Sequence, residues 1–142
     1  MYLLDTNVVS EAVRPRPDAR VLGWLDAQDA RTLYLSAFTL GEIDFGTELM
    51  AFSQRRLALQ RWSRYDVPEQ FAGRILPIDV AVARVWGRVA AEARSRGRPL
   101  QVPDGLLVAT AQVHDLTLVT RNVRDCGGRG VPTLDPWYVG HA

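Results

Sequence analysis

The chain has 142 residues, a formal net charge of +1, 47% hydrophobic and 23% charged residues, and a single cysteine. That suits one domain, spanning residues 1–142, with a real core; it excludes a disulfide framework and a cysteine-rich zinc site, and gives no global pull toward nucleic acid. No apolar run reaches the roughly 18–20 residues of a membrane span, and Met1-Tyr2-Leu3-Leu4-Asp5 leaves no room for a signal peptide, so a cytoplasmic protein is expected.

Tyr2-Leu3-Leu4 is short and apolar and meets Asp5-Thr6-Asn7, residue types that start helices, so a strand followed by a helix over about Val8–Val13 is predicted. Pro15 and Pro17 break that helix. Asp18 caps a second one to about Ala27, Leu33-Tyr34-Leu35 reads as a strand, and Ser36 caps a helix to about Met50. Ser53 begins another to Tyr65, and Arg74-Ile75-Leu76 is a third strand.

Asp79 caps a long amphipathic helix with Val82, Val85, Trp86, Val89 and Ala93 on one face, stopped by Gly97. Pro103 suits the first turn of a helix over Asp104–His114. Leu116–Thr120 is a fourth strand and Val131–Leu134 a fifth, with a mobile tail expected over about 138–142. Short apolar strands separated by helices predict an α/β domain with a parallel sheet covered on both faces. Ligands of such sheets bind beyond the carboxyl ends of the strands. That edge should carry Asp5 and Asn122.

Four further observations concern acids. Asp5 ends a strand. Glu42 falls on the apolar series Phe38, Glu42, Phe45, Leu49 at helical spacing. Asp104 opens a helix whose matching face carries Leu107, Val108 and Ala111, and Asn122 and Asp125 follow the fourth strand. Each alone reads equally as a helix cap, a turn residue or a solvated carboxylate. Gathered at one sheet edge they repel one another and resist ionisation, a penalty that a divalent cation removes. Ligands that are all oxygen point to a hard ion, Mg²⁺ or Mn²⁺, and to hydrolysis of a phosphodiester by a metal-activated water.

The segments Leu4-Asp5-Thr6-Asn7, Leu40-Gly41-Glu42-Ile43, Pro103-Asp104-Gly105-Leu106-Leu107 and Leu118-Val119-Thr120-Arg121-Asn122, in this order, resemble the motifs of PIN-domain nucleases. More narrowly they resemble the VapC and FitB-type toxins of bacterial toxin–antitoxin pairs, with the likeness running on through Gly130-Val131-Pro132 and Asp135-Pro136-Trp137. The resemblance implies a PIN-like parallel sheet, Mg²⁺- or Mn²⁺-dependent endoribonuclease activity on RNA, a homodimer and inhibition by a cognate antitoxin. Operator DNA would be contacted only through that antitoxin. Asp5 and Asp104 match the principal metal-binding acids and Glu42 the third acidic position. The fourth position, often Asp in the family, is Asn122 here; Asp125 lies three residues on and can restore the charge. The departure bears on whether a second ion is held. Thr6 and Thr120 offer hydroxyls to water, ligands or phosphate.

All 17 basic residues are arginines. Arg121 and Arg124 bracket Asn122, and Arg94, Arg96 and Arg98 cluster before Asp104; both groups are candidates for guiding a phosphate backbone. Trp24, Trp62, Trp86 and Trp137 lack an interleaved basic pattern, so packing is expected of them rather than base stacking. Two other functions fit the same residues: a catalytically weak module of a DNA-binding repressor complex, and a housekeeping RNA-processing nuclease.

Overall fold

Five short strands, β1 (Tyr2–Leu4), β2 (Leu33–Ser36), β3 (Ile75–Leu76), β4 (Thr117–Val119) and β5 (Thr133–Leu134), pair in the order β3-β2-β1-β4-β5, all parallel. The computed structural model describes residues 1–138, so the tail expected beyond Tyr138 lies outside the described residues. Tyr2 is level with Leu33 on one side and Thr117 on the other, and Leu4 is level with Val119. Alternation along the central strands divides the core: Leu4, Leu33, Leu35 and Val119 face one layer, with Val8, Val21, Trp24 and Phe71. Leu3 and Leu118 face the other, with Val89, Leu107, Val108 and Ala111. Both faces are therefore covered, as a parallel sheet requires.

The helices are α1 (Thr6–Glu11), α2 (Ala19–Asp26), α3 (Ala37–Glu48), α4 (Gln54–Arg61), α5 (Val67–Gln70), α6 (Val80–Ser95), α7 (Val102–His114) and α8 (Val123–Cys126). Four starts read from sequence carry real side-chain caps, among them Ser53, which accepts from the amide of Arg56. Asp18 accepts from the amide of Arg20, Ser36 from that of Phe38 and Asp79 from that of Val82. Gly97 takes φ +71 just past α6, a left-handed turn that ends it. Among the described residues no helix is long and apolar enough to cross a membrane.

Several boundaries differ from the sequence reading. The first helix starts at Thr6, directly after Asp5, and α7 starts at Val102. The helix expected over Ser53–Tyr65 gives way at Trp62–Asp66 to a π-helical turn and then to α5. Buried Ser63, inside that turn, donates to Asp44 Oδ1 on α3 at 2.8 Å, a tertiary bond that local propensity does not encode. Short α8, unforeseen, fills the link between β4 and β5.

The most consequential correction concerns α3. The stripe Phe38, Glu42, Phe45, Leu49 is not its buried face: Thr39, Ile43 and Thr47 are buried, while Phe45 and Leu49 are 69% and 73% exposed. Glu42 is half-buried, one position from Ile43 and three from Thr39. It thus borders the core instead of lying in an apolar stripe.

Candidate active site

In the order β3-β2-β1-β4-β5 the direction of winding reverses between β1 and β4, the point where sheets of this kind bind ligands in a crevice beyond the strand ends. Asp5 leaves β1 into it and Thr120 leaves β4. The two strand ends are joined by backbone, Asp5 N–H donating to the Val119 carbonyl at 2.9 Å. They are joined again by side chains: the Thr120 hydroxyl, fully buried, donates to Asp5 Oδ2 at 2.7 Å. Asp5 occupies the N-cap position of α1 yet makes no capping bond there, so its carboxylate is committed to the crevice.

The chain then turns at Asn122. Its backbone N–H donates to Thr120 Oγ1 at 3.0 Å, and its side-chain Nδ2 donates to Asp104 Oδ2 at 2.9 Å. Asp104 stands in the first turn of α7. Its neighbour Gly105 is buried against Trp86 of α6, where a β-carbon would come within 3.0 Å of the indole. The absence of a side chain there lets α7 lie close on α6 and fixes the height of Asp104. One continuous path of hydrogen bonds thus runs Asp5–Thr120–Asn122–Asp104.

Across from it, Thr6 Oγ1 donates to Glu42 Oε1 at 2.7 Å and lies 3.3 Å from the hydroxyl of buried Thr39. Asp125 is exposed on α8 and makes no side-chain hydrogen bond to these groups, though its charge is felt at Asp104. Arg121 is also exposed, with its guanidinium carbon 4.9 Å from the ring centre of buried Trp137. Of the eight residues expected at the site, Asp5, Thr6, Glu42, Asp104, Thr120 and Asn122 line the crevice in these two hydrogen-bonded groups. Asp125 and Arg121 stand at its rim.

Two contributors were absent from the sequence reading. Thr39 packs its hydroxyl against Thr6, and its only signal was a polar residue three positions before Glu42. Trp137 holds Arg121 from 16 positions away, a separation that no local pattern reveals.

The electrostatics are those of an uncompensated acidic cluster. Burial raises the carboxyl of Asp5 above its ordinary value; the Thr120 hydroxyl and the nearby amides of Thr6 and Asn7 oppose this without reversing it. Burial likewise raises Glu42, opposed by Thr6 and reinforced by the charges of Asp5 and Asp104. Asp104 is raised by burial and then by Asp5, with the Asn122 amide working the other way. Buried Cys126 is pushed up to about 12 by desolvation and by the same acids, which leaves its thiol protonated and without nucleophilic character at neutral pH.

Among the described residues no three His, Cys, Asp or Glu side chains converge closely enough to hold an ion together. The donor set nevertheless suits a hard divalent cation, which takes one or two carboxylates and keeps much of its water. Two crevice carboxylates already have one oxygen fixed by a neighbour, Asp5 by Thr120 and Asp104 by Asn122. That leaves the other oxygen of each for such an ion.

Comparison with known proteins shows the family to which this fold belongs. The PIN domain family matches over residues 2–124. Toxin FitB of Neisseria gonorrhoeae is 37% identical over 138 residues, covering 97% of this chain and 99% of that protein. VapC ribonuclease Y4jK of Sinorhizobium fredii is 38% identical over 137 residues, covering 96% and 98%. The structure of FitAB bound to an IR36 DNA fragment superposes with a TM-score of 0.93 at 36% identity, covering 99% of each chain.

Proposed function

The chain belongs to the PIN-domain family, and from that premise we propose that it is a metal-dependent endoribonuclease, the toxin of a toxin–antitoxin pair. The observation that carries this reading is the placement of Asp5, Asp104 and Glu42 at one sheet edge by two hydrogen-bonded groups, with burial raising all three carboxyls and neighbouring acids further raising Glu42 and Asp104. Such a site is poised for a cation and, through it, for a phosphate. Relatives named as a FitB toxin and a VapC ribonuclease supply the substrate class and the biological role.

Asp5 and Asp104 are the residues that would hold Mg²⁺ or Mn²⁺. The bound ion supplies an acidified water and stabilises charge on the phosphate. The protein's own side chains do the rest. Thr120 holds Asp5 in orientation, Asn122 holds Asp104, and Glu42, steadied by Thr6, would orient the attacking water and take its proton. Asn122 contributes an amide donor where a fourth carboxylate would add charge, so the crevice is matched to one tightly held ion. Asp125 at the rim adds negative charge at longer range, and Arg121 offers its guanidinium to the strand.

The cognate antitoxin fits an apolar groove of about 270 Å³. Val13, Ile43, Leu59 and Trp62 line it, and it reaches Thr6 and Glu42 at the acidic crevice. A segment with apolar side chains and an adjoining cation would satisfy both parts. Contact with operator DNA is assigned to the antitoxin, in keeping with the FitAB complex solved on DNA. The exposed apolar surface of Phe45, Leu49 and Phe52 is assigned to a second copy of this chain.

The test is cleavage of mixed cellular RNA by the purified chain and by Asp104→Asn, with Mg²⁺, Mn²⁺ or chelator. Discrete cuts are expected that need metal and fall on the order of 10³-fold in the variant. A folded wild-type chain that cuts nothing under any of these conditions, yet holds DNA together with its antitoxin, would establish the repressor module instead. Harmless expression without any partner would indicate a housekeeping nuclease.

A further inference from the structure

A second charged region lies away from the crevice. A cavity of about 300 Å³ is bounded by the C-terminal half of α6, the side of α7 and the loop after α8, and Arg88, Arg96, Arg98 and Arg129 surround it. Glu92 is the one acidic residue in its wall. Arg94, grouped with Arg96 and Arg98 in sequence, does not line it.

Two of these guanidiniums are fixed without being neutralised. Arg98 Nη2 donates to the Arg124 carbonyl at 2.9 Å, and Arg129 donates to the carbonyls of Asp125 and Arg98, each at 2.9 Å. Among the described residues none of the four arginines makes an ion pair. The floor of the cavity includes Gly128 and Gly130, at φ +72 and +85. No atom lies within 4 Å of a β-carbon built at Gly130, so backbone there is open to close approach. Favourable interaction with the end of α6 accounts for Arg96. It does not account for Arg88, two turns earlier, or for Arg129, which comes from another element.

We propose that this arginine-lined cavity binds a backbone phosphate of the RNA strand whose scissile bond lies in the acidic crevice. The proposal rests on the nuclease reading and deepens it by assigning a path to the substrate. The separation suits a strand: Asp104 and Gln112, which lines the cavity, are eight residues apart on α7, about 12 Å along the helix. A single strand crosses that distance in a few nucleotides. The division of labour is also chemically consistent, since the crevice repels phosphate until a cation is present and positive charge outside it offsets that repulsion.

The experiment compares the full chain with the double variant Arg88→Gln, Arg96→Gln. Both side chains are exposed, and neither makes a hydrogen bond among the described residues. Binding of a labelled single-stranded RNA of about 12 nucleotides is measured across a salt series with chelator present, so that nothing is cut. The variant should bind roughly tenfold more weakly near physiological salt, and its log–log salt slope should be shallower by about 0.7, the loss of one phosphate contact. Unchanged affinity and slope would overturn the proposal. So would loss of inorganic phosphate binding in a phosphate titration of the variant with RNA binding intact, which would assign the cavity to the free ion. Failure of the nuclease reading shows separately, as absence of cleavage by the wild-type chain with Mn²⁺, and leaves the binding comparison readable.

Discussion

The acidic crevice and the arginine-lined cavity concentrate opposite charge by opposite means. In the crevice, Asp5 is only 7% exposed, and Asp104 and Glu42 are half-buried; their charges are crowded and each carboxyl is raised. Around the cavity Arg88, Arg96 and Arg98 are exposed, and fixed guanidiniums rest on backbone carbonyls. Exposed like charges are screened by water and salt, so the second region is stable as it stands. Buried ones are not, so the first is held in an unfavourable state that a cation relieves. The short helix α8 connects them, with Asn122 in the crevice at one end and the carbonyls of Arg124 and Asp125, which hold Arg98 and Arg129, at the other.

The sharpest way to break this contrast is to cut the support beneath the acids. Thr120→Val keeps the shape but removes the hydroxyl that donates to Asp5 and accepts from Asn122. Two buried polar groups are then left unpaired, and a stability loss of about 1–3 kcal/mol is expected in urea melts. Mn²⁺ affinity, followed by calorimetry, should fall roughly 10–100-fold. An unchanged affinity would mean that Asp5 does not need this bond to hold its orientation.

A smaller effect is expected from Asn122→Asp, which replaces a donor to Asp104 by a like charge. The metal-free protein should melt lower at neutral pH, and the titration should show either a tighter ion or a second one. A variant that melts at the wild-type temperature and binds metal identically would show that position 122 is electrically silent.

The smallest effect concerns pH. Carboxyls raised in the folded state stabilise it fully below their unfolded values, near pH 4, and this contribution is lost as pH rises through the raised values. The metal-free wild type should therefore lose stability relative to Asp104→Asn between about pH 4 and neutrality. By neutrality the variant should melt higher by about 3 °C. The comparison has to be a difference between the two proteins, because Asp18 and Asp29, lowered to about 2 by their arginine partners, act in the opposite sense in both. Parallel melting curves across this range would remove the claim that the crevice is strained by its charges.

Much of this was legible in the residue order, for physical reasons. Helices bracketed by caps and glycines, as at Asp18, Ser36, Asp79 and Gly97, announce themselves locally, and a parallel α/β sheet then assembles Asp5, Asp104 and Asn122 on one edge. Periodicity sets Glu42 within an apolar stripe of α3, whereas it borders the core. Helix α3 carries apolar residues nearly all round, so periodicity could not tell which face was inward; contact with α1 and the π-helical turn decided it. That turn was itself invisible, because it depends on a bond between Ser63 and Asp44 across 19 positions. The use of the Asn122 amide as a donor to Asp104 likewise depends on two elements meeting, as does the seat of Arg121 on Trp137.

The sheet order has a consequence in time. Strand β1 lies between β2 and β4, so the first strand to be made cannot be enclosed until the fourth arrives, and Thr120 reaches Asp5 across 115 positions. Such non-local pairing is slow to form. A ribosome must therefore pass Asn122 before Asp5, Asp104 and Asn122 can share a crevice, and fragments released earlier carry the acids on separate, unassembled segments. The architecture delays the appearance of the assembled site until β4 and the turn after it have been translated.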